Sequence, residues 1–576
     1  MSTNLTQTSS FLFRFSYWHL ILVITALNRV GRPHKKHQPI TFPILDCIFF
    51  KHINPAFDEV CRPTSIPILT MVSSATLYSL CTLAVCIYLW QRRPRTSRLP
   101  PGPKGYPLFG NVWDIPHDHS WLTYAKWAKK YNSDVIHLNV FGAETIVLNS
   151  LKAATELLDK RSSNYSDRPR MIMANELMGW EWDFAHMPYT DRWRRHRRSF
   201  HQYFQPRNLS AYYPVQRKVT VTFLEQILQT PEHFSAHIRQ HVGSIVLRAA
   251  YGYEVKTEDD FYIDLAHKAM QPLLLVVHAG ANMVDFIPAL KHIPAWFPGA
   301  TFKKNAEIWA RDTLKLRDIP FENLKKAIAE GTAEQSYACD NLEKLTVDGV
   351  IDPAEEEIIR NCAGIMYLAG SDTSASLVHS WLLAMAHYPE IQRKAQEEID
   401  SIVENSRLPD FNDRSSLPYV EATLLETLRW APITPLALPH RVMQEDEYEG
   451  YTIPAGATVT PNVWAILHCE EYYPEPFKFN PDRFVKGVNK GGLQPDPIST
   501  GAFGFGRRTC PGRYLALNSA WIAVASILST YNVSKAIDNE GNVIEPLIEY
   551  EDGLVRYAYY TISSPFKSAH LPQKPP

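Results

Sequence analysis

From Asp352-Pro353 to His387 the chain reads as one uninterrupted helix, and no other stretch constrains the fold as much. Asp352 can accept from the free amides of a first turn, Pro353 suits the first helical position, and Pro389 forbids continuation. At about 1.5 Å per residue such a helix runs for roughly 50 Å, enough to cross a whole domain. A body built around a rod of that length has to pack further helices along it.

The flanking sequence agrees. Pro389 to Asn405 and Val420 to Trp430 have amphipathic helical patterns. Strand signals are short and peripheral: Val135 to Val140 and Thr145 to Leu148 flank Phe141-Gly-Ala-Glu144 as a hairpin, and Glu447 to Gly456 reads as another. The C-terminal stretch again reads as short strands and turns. The expected fold class is a mainly α body with a small β-rich lobe.

The chain has 576 residues, 45% of them hydrophobic, ample for a large core. A formal net charge of −1 gives no reason to expect nucleic acid as a partner. Eight cysteines lie scattered without a CxxC, which argues against a disulfide framework and a finger-type zinc site. Ile66 to Trp90 is apolar or small almost throughout, long enough to span a bilayer, and Gln91-Arg-Arg-Pro-Arg-Thr-Ser-Arg98 should hold its end on the cytoplasmic side. The expected order is an N-terminal extension (1–65), a transmembrane anchor (66–90), a basic and Pro-rich hinge (91–110), a large domain (111–565) and a tail (566–576). Met71 opens a sequence that would make anchor, stop and hinge by itself, so it is a candidate translation start and residues 1–70 a candidate gene-model extension.

Four patterns carry chemistry. Phe503-Gly-Phe-Gly-Arg-Arg-Thr-Cys-Pro-Gly512 wraps one cysteine in glycines and arginines, a setting for a rigidly held thiolate that binds a metal, though a catalytic or disulfide cysteine could also use it. Ala369-Gly-Ser-Asp-Thr-Ser374 places small polar residues in mid-helix, which predicts a local bulge with Asp372 and Thr373 facing a cavity as a proton relay; the alternative is an exposed polar turn. Glu426 and Arg429 share one helical face among leucines and should form a buried structural pair, with Arg483 a candidate third member. The basic run Tyr189 to Arg198 sets Trp193 and Arg197 on one face, and His440 with Arg441 offers further donors; such donors suit the carboxylates of an anionic cofactor.

Taken together these residues resemble the cytochrome P-450 family of haem-thiolate monooxygenases, across about residues 97–565. The family's Phe-x-x-Gly-x-Arg-x-Cys-x-Gly pattern falls on Phe503, Gly506, Arg508, Cys510 and Gly512. Its Glu-x-x-Arg pattern falls on Glu426 and Arg429, its oxygen-activation pattern on Ala369, Gly370, Asp372, Thr373 and Ser374, and its Trp-x-x-x-Arg pattern on Trp193 and Arg197. The resemblance implies a cytochrome P-450 fold behind a transmembrane helix and a haem b cofactor (iron protoporphyrin IX). Cys510 would be the axial iron ligand and Phe503 would pack on the proximal face. Trp193, Arg197 and Arg508 would contact propionates, as would His440, Arg441 or both. Asp372 and Thr373 would deliver the protons that oxygen activation consumes.

Electrons would come from NADPH through a separate cytochrome reductase, with cytochrome b5 a further candidate partner. The resemblance also implies a location in the endoplasmic reticulum membrane, single-pass, with the catalytic domain cytoplasmic. The motif wording is closest to fungal microsomal members of secondary metabolism, and the largely apolar contact regions, including Trp180 to Phe184, imply a hydrophobic substrate such as a terpenoid. Two alternatives stay open: a haem-thiolate isomerase or dehydratase that needs no external electrons, and a non-enzymatic haem sensor.

Overall fold

The computed structural model describes Thr82 and residues 98–568, apart from 117, 257–259, 278–281, 405, 489–491, 539, 547–553 and 556–565. The expected extension, the start at Met71, the anchor over 66–90 (Thr82 apart), most of the basic hinge segment 91–98 and the tail beyond 568 lie outside the described residues. Among the described residues no helix is long and apolar enough to cross a membrane.

The body is mainly helical. Its principal helices are α1 (Ser120–Tyr131), α2 (Asp191–Phe204), α3 (Tyr213–Gln229), α4 (Phe234–Tyr251), α5 (Phe261–Val276), α6 (Thr301–Ala329), α7 (Pro353–His387), α8 (Pro389–Val403), α9 (Pro418–Trp430) and α10 (Arg513–Thr530). The long helix α7 forms as expected. The Asp352 carboxylate accepts from the Ala354 N–H at 2.9 Å, Pro353 opens the helix, and Pro389 starts α8 just beyond its end. From Ile358 to Ala386 most of α7 is buried, against α2, α4, α6 and α10 among others. An all-round apolar helix belongs in the centre of a body, not on its surface.

The expected bulge at 369–374 does not form, and the helix stays α-helical throughout. Ser371 and Thr373 donate their hydroxyls back to the carbonyls of Leu368 (3.1 Å) and Ala369 (2.7 Å), so the polar side chains are satisfied without opening the ladder. Gly370 has a packing role instead: a Cβ there would come within 3.0 Å of Val246 on α4. Its hydrogen lets two helix backbones approach.

The sheet lobe is small. β1 (Val135–Val140) and β2 (Ala143–Leu148) form the expected hairpin, Val135 opposite Leu148. β3 is His440–Arg441, and β4 (Asp446–Tyr448) and β5 (Tyr451–Ile453) make the second hairpin. β6 (Thr458–Pro461) runs parallel to β2 and antiparallel to β3, giving the order β1-β2-β6-β3. At the C-terminal end β7 (Tyr531–Val533) pairs with β8 (Phe566–Ser568). The positions of β3 and of the loop leading into α10 matter most for the site.

Candidate active site

The cysteine loop is held from both ends. The Cys510 N–H donates to the Phe503 carbonyl at 2.8 Å, and the Thr509 hydroxyl donates to the Gly506 carbonyl at 2.8 Å. Gly506 adopts a φ of +55°, and a Cβ there would lie 2.1 Å from the Leu158 carbonyl oxygen. Only glycine lets the loop dock this closely on the π-helical turn Thr155–Lys160, where the Asp159 carboxylate takes the Gly506 N–H. Phe503 is half-buried against the cluster that contains Trp521 and Phe479.

Cys510 sits just before the first turn of α10. Burial pushes its thiol up, while the N–H groups of Gly512 and Arg513 and the guanidinium groups of Arg197 and Arg513 favour the thiolate. Burial pushes Cys339 up to about 11 and Cys362, helped only by the Tyr337 hydroxyl, up to about 12. Amides at a helix N-terminus that point at a half-buried sulfur suit a thiolate that coordinates a cation. Among the described residues no group of three or more His, Cys, Asp or Glu side chains could hold a bare metal ion. A metal that brings most of its own ligands, as in a macrocycle, suits a site with one thiolate. Gly512 leaves room nearby: its φ of −87° suits any residue, yet an added Cβ would meet no protein atom within 4 Å.

Beside the loop lies a cluster of cations, with Arg168 and Arg508 buried and Arg197 half-buried. Arg508 donates to the carbonyls of Ser166 (2.7 Å), Phe184 (3.3 Å) and Met187 (2.7 Å), and its guanidinium lies 4.3 Å from the Trp193 ring centroid. Arg197 reaches over from α2 to donate to the Thr509 carbonyl at 2.6 Å. Arg168 donates to the carbonyls of Ala185 (2.9 Å), Leu438 (2.9 Å) and Pro439 (2.7 Å). Burial pushes Arg168 down to about 10; burial, then the like charges of Arg168 and Arg197, push Arg508 down to about 8. Asp167 is the carboxylate whose field reaches both, but its oxygens are taken by the Tyr189 N–H (2.7 Å) and by Arg441 (3.0 Å). Two buried guanidinium groups and the half-buried one of Arg197, all held by neutral carbonyls, form a cradle for an added dianion. The donor set thus fits a metal macrocycle with carboxylate arms.

His440 and Arg441 part company. His440 is buried and donates from Nδ1 to the Tyr165 carbonyl at 2.7 Å; burial and the nearby Arg168 hold it well below its ordinary value, so it is neutral. Arg441 is exposed on the opposite face of β3 and pairs with Asp167. Asp372 is buried on α7, and the Thr373 hydroxyl is engaged with Ala369. Sequence reasoning missed Arg168 and Asp159. Arg168 left a faint signal, an Asp-Arg-Pro-Arg run (167–170) at the edge of an apolar stretch; Asp159 left none.

The Glu426 cluster forms as expected. Arg429 grips Glu426 with two hydrogen bonds of 2.7 and 2.8 Å, Arg483 adds a third at 3.3 Å, and all three side chains are fully or almost fully buried. The Asn480 N–H also donates to Glu426 (2.8 Å), and the carbonyls of Leu467, Pro474, Glu475 and Pro476 take the remaining guanidinium protons.

Comparison with known proteins points the same way. A model of the cytochrome P-450 family matches residues 100–549. A cytochrome P-450 monooxygenase of Armillaria gallica is 41% identical over 481 residues, covering 82% of this chain and 93% of the relative. The tryptamine 4-monooxygenase of Psilocybe cyanescens is 39% identical over 499 residues (85% and 96%), and a cytochrome P-450 monooxygenase of Postia placenta is 40% identical over 478 residues (82% and 92%).

Proposed function

This chain belongs to the cytochrome P-450 family of haem-dependent monooxygenases, and we propose that it is a membrane-anchored member that hydroxylates, or similarly oxidises, a hydrophobic small molecule of fungal secondary metabolism such as a terpenoid. The observation that carries the reading is the pairing of Cys510, under the amides of Gly512 and Arg513, with a cradle of arginines, two of them buried, whose protons go to neutral carbonyls.

Haem b, when bound, supplies the oxygen chemistry, using O2 and two electrons per turnover. The protein's part is placement and charge. Cys510 would hold the iron as thiolate, with the Gly512 and Arg513 N–H groups tempering the sulfur's basicity. Arg168, Arg197 and Arg508 would hold the propionates, with Trp193 stacked on Arg508 and neutral His440 beside Arg168. Phe503 would cover the proximal face. On α7, Asp372 would accept protons from solvent and Thr373 would pass them on, its hydroxyl turning from the Ala369 carbonyl when a better acceptor arrives. The buried apolar residues around Phe184, Met187 and Leu368 would exclude water and hold the substrate. Glu426, Arg429 and Arg483 keep the fold beneath the loop.

Electrons would reach the site from NADPH through a separate reductase, with cytochrome b5 as a second donor. The run 66–90 would anchor the chain once in the endoplasmic reticulum membrane, with the catalytic body on the cytoplasmic side. The test is the difference spectrum of the reduced, CO-bound protein. Wild type should give the red-shifted Soret band of a thiolate-ligated haem, and Cys510→Ser should lose it. A wild-type protein without that band ends the reading. Turnover without NADPH and reductase would favour the isomerase alternative.

A further inference from the structure

Asp159 is a carboxylate without a cation. It stands half-buried near the end of the π-helical turn Thr155–Lys160, and among the described residues it forms no ion pair. The cations next to it in sequence are engaged elsewhere. Lys160 pairs with Glu156 at 3.0 Å, and Arg161 pairs with Glu156 and with Asp446, both at 3.1 Å. Burial pushes the Asp159 carboxyl up from its ordinary value, and the Gly506 N–H is what opposes that shift. A half-buried charge with one amide partner costs stability unless the segment it holds matters.

That segment leads to Cys510. The Phe505–Gly506 peptide gives its N–H to Asp159, and its carbonyl accepts from the Arg508 N–H at 3.2 Å. The Gly506 carbonyl takes both the Thr509 N–H (3.2 Å) and the Thr509 hydroxyl (2.8 Å). The Thr509–Cys510 peptide is clamped in turn: its carbonyl accepts from Arg197 at 2.6 Å, and its N–H donates to the Phe503 carbonyl at 2.8 Å. The loop is thus strung between a carboxylate at Gly506 and a guanidinium at Thr509. Linked peptide dipoles polarise one another, so a charge at one end is felt along the chain. An anion fixed here works against the groups that draw charge from the sulfur, the N–H groups of Gly512 and Arg513 and the guanidinium groups of Arg197 and Arg513.

We propose that Asp159 is a positioning residue for the thiolate: through Gly506 and Thr509 it fixes the Cys510 sulfur, and its unpaired charge keeps that sulfur a strong electron donor to the iron. The assignment rests on the monooxygenase reading and says how the ligand of that reading is tuned. A neutral acceptor would hold the Gly506 N–H as well; a carboxylate adds a field.

The test uses the full-length holoenzyme with Asp159→Asn, Asp159→Ala and Glu156→Gln. The first keeps an acceptor oxygen of the same shape and removes the charge, and the second removes both. The third removes a charge from the same turn that Lys160 and Arg161 already balance. Two quantities are read: the ferric–ferrous equilibrium, by reductive titration against a reference dye, and the half-life of the red-shifted CO band in mild denaturant. Asp159→Asn should move the equilibrium toward ferrous by at least about threefold with the CO band in place. Asp159→Ala should move it the same way and shorten the half-life at least about fivefold, the worth of one hydrogen bond to a charged acceptor. Glu156→Gln should leave both as in wild type. The proposal is overturned if Asp159→Asn leaves the equilibrium at its wild-type position, or if Glu156→Gln moves it as far. An unchanged half-life in Asp159→Ala also overturns it, since the loop would then not need its anchor. If the alanine variant does not fold, Asp159→Asn decides alone. A normal reduced CO spectrum of wild type keeps the monooxygenase reading standing whichever way Asp159 falls.

Discussion

Two arginine clusters are buried in this fold, and they differ in the supply of negative charge. Around Glu426, a carboxylate sits between Arg429 and Arg483, and carbonyls take the protons left over. Around Arg508, which lies over the Trp193 ring, three guanidinium groups donate to carbonyls alone, and the carboxylates whose field reaches them, Asp167 and Asp183, are already engaged elsewhere. The first cluster is electrostatically closed and can serve the fold without a ligand. The second is open, and its charge is a standing cost until anions arrive. Burial of arginine therefore does not separate structure from binding here; charge balance does.

The largest expected effect strikes the closed cluster. Arg429→Ala leaves Glu426 buried with its main partner gone, which costs about 3–5 kcal/mol and should be seen in denaturant unfolding with or without haem. A variant as stable as wild type would break the comparison. In the open cluster the sign differs. Arg508→Met should leave the haem-free protein as stable as wild type or more so, while haem transfer to an acceptor protein speeds up at least about tenfold, because a charge-assisted pair with a propionate is lost.

The third prediction sharpens the same contrast through pH. Arg508 is pushed down from its ordinary value to about 8 in the fold, so above that pH the unfolded chain carries a proton that the haem-free folded protein does not. Stability of the haem-free form should rise as pH goes up through about 8, by at most about 1.4 kcal/mol per unit, and level off below it. Arg508→Met and the haem-loaded protein should lack this slope; thermal unfolding at pH 7, 8 and 9 checks it. The smallest effect belongs to Arg441, whose side chain is 45% exposed. Arg441→Ala should cost less than about 1 kcal/mol and leave haem retention almost unchanged. A large loss of haem would move Arg441 into the open cluster.

Local rules made much of this legible in the sequence. The α7 cap at Asp352-Pro353, its stop before Pro389 and the hairpin at Phe141-Gly142 depend on neighbours a few residues apart, and all appear where expected. Glu426 and Arg429 were readable because a helix places such a pair on one face, and apolar neighbours imply burial. The polar run at 369–374 misled, because propensity treats Gly370 as a weak point and cannot see Val246 approaching it from another helix. Arg168 and Asp159 drew no notice as chemistry, since their meaning lies in contacts with chain segments remote in sequence.

The sequence alone determined that a central helix organises the body, and that one cysteine sits in a loop suited to a metal-bound thiolate. It also determined that Glu426 needs an arginine. Each follows from spacing and residue type, which short-range geometry turns directly into structure. Which of His440 and Arg441 joins the buried cluster was decided only by tertiary structure. Successive strand residues point to opposite faces, so one of the two must look outward. The pairing of β3 with β6 and the approach of Tyr165 and Arg168 choose His440 as the buried one. The same holds for the open charge of Arg508: a cation's worth is set by what surrounds it, and its surroundings arrive from three distant parts of the chain.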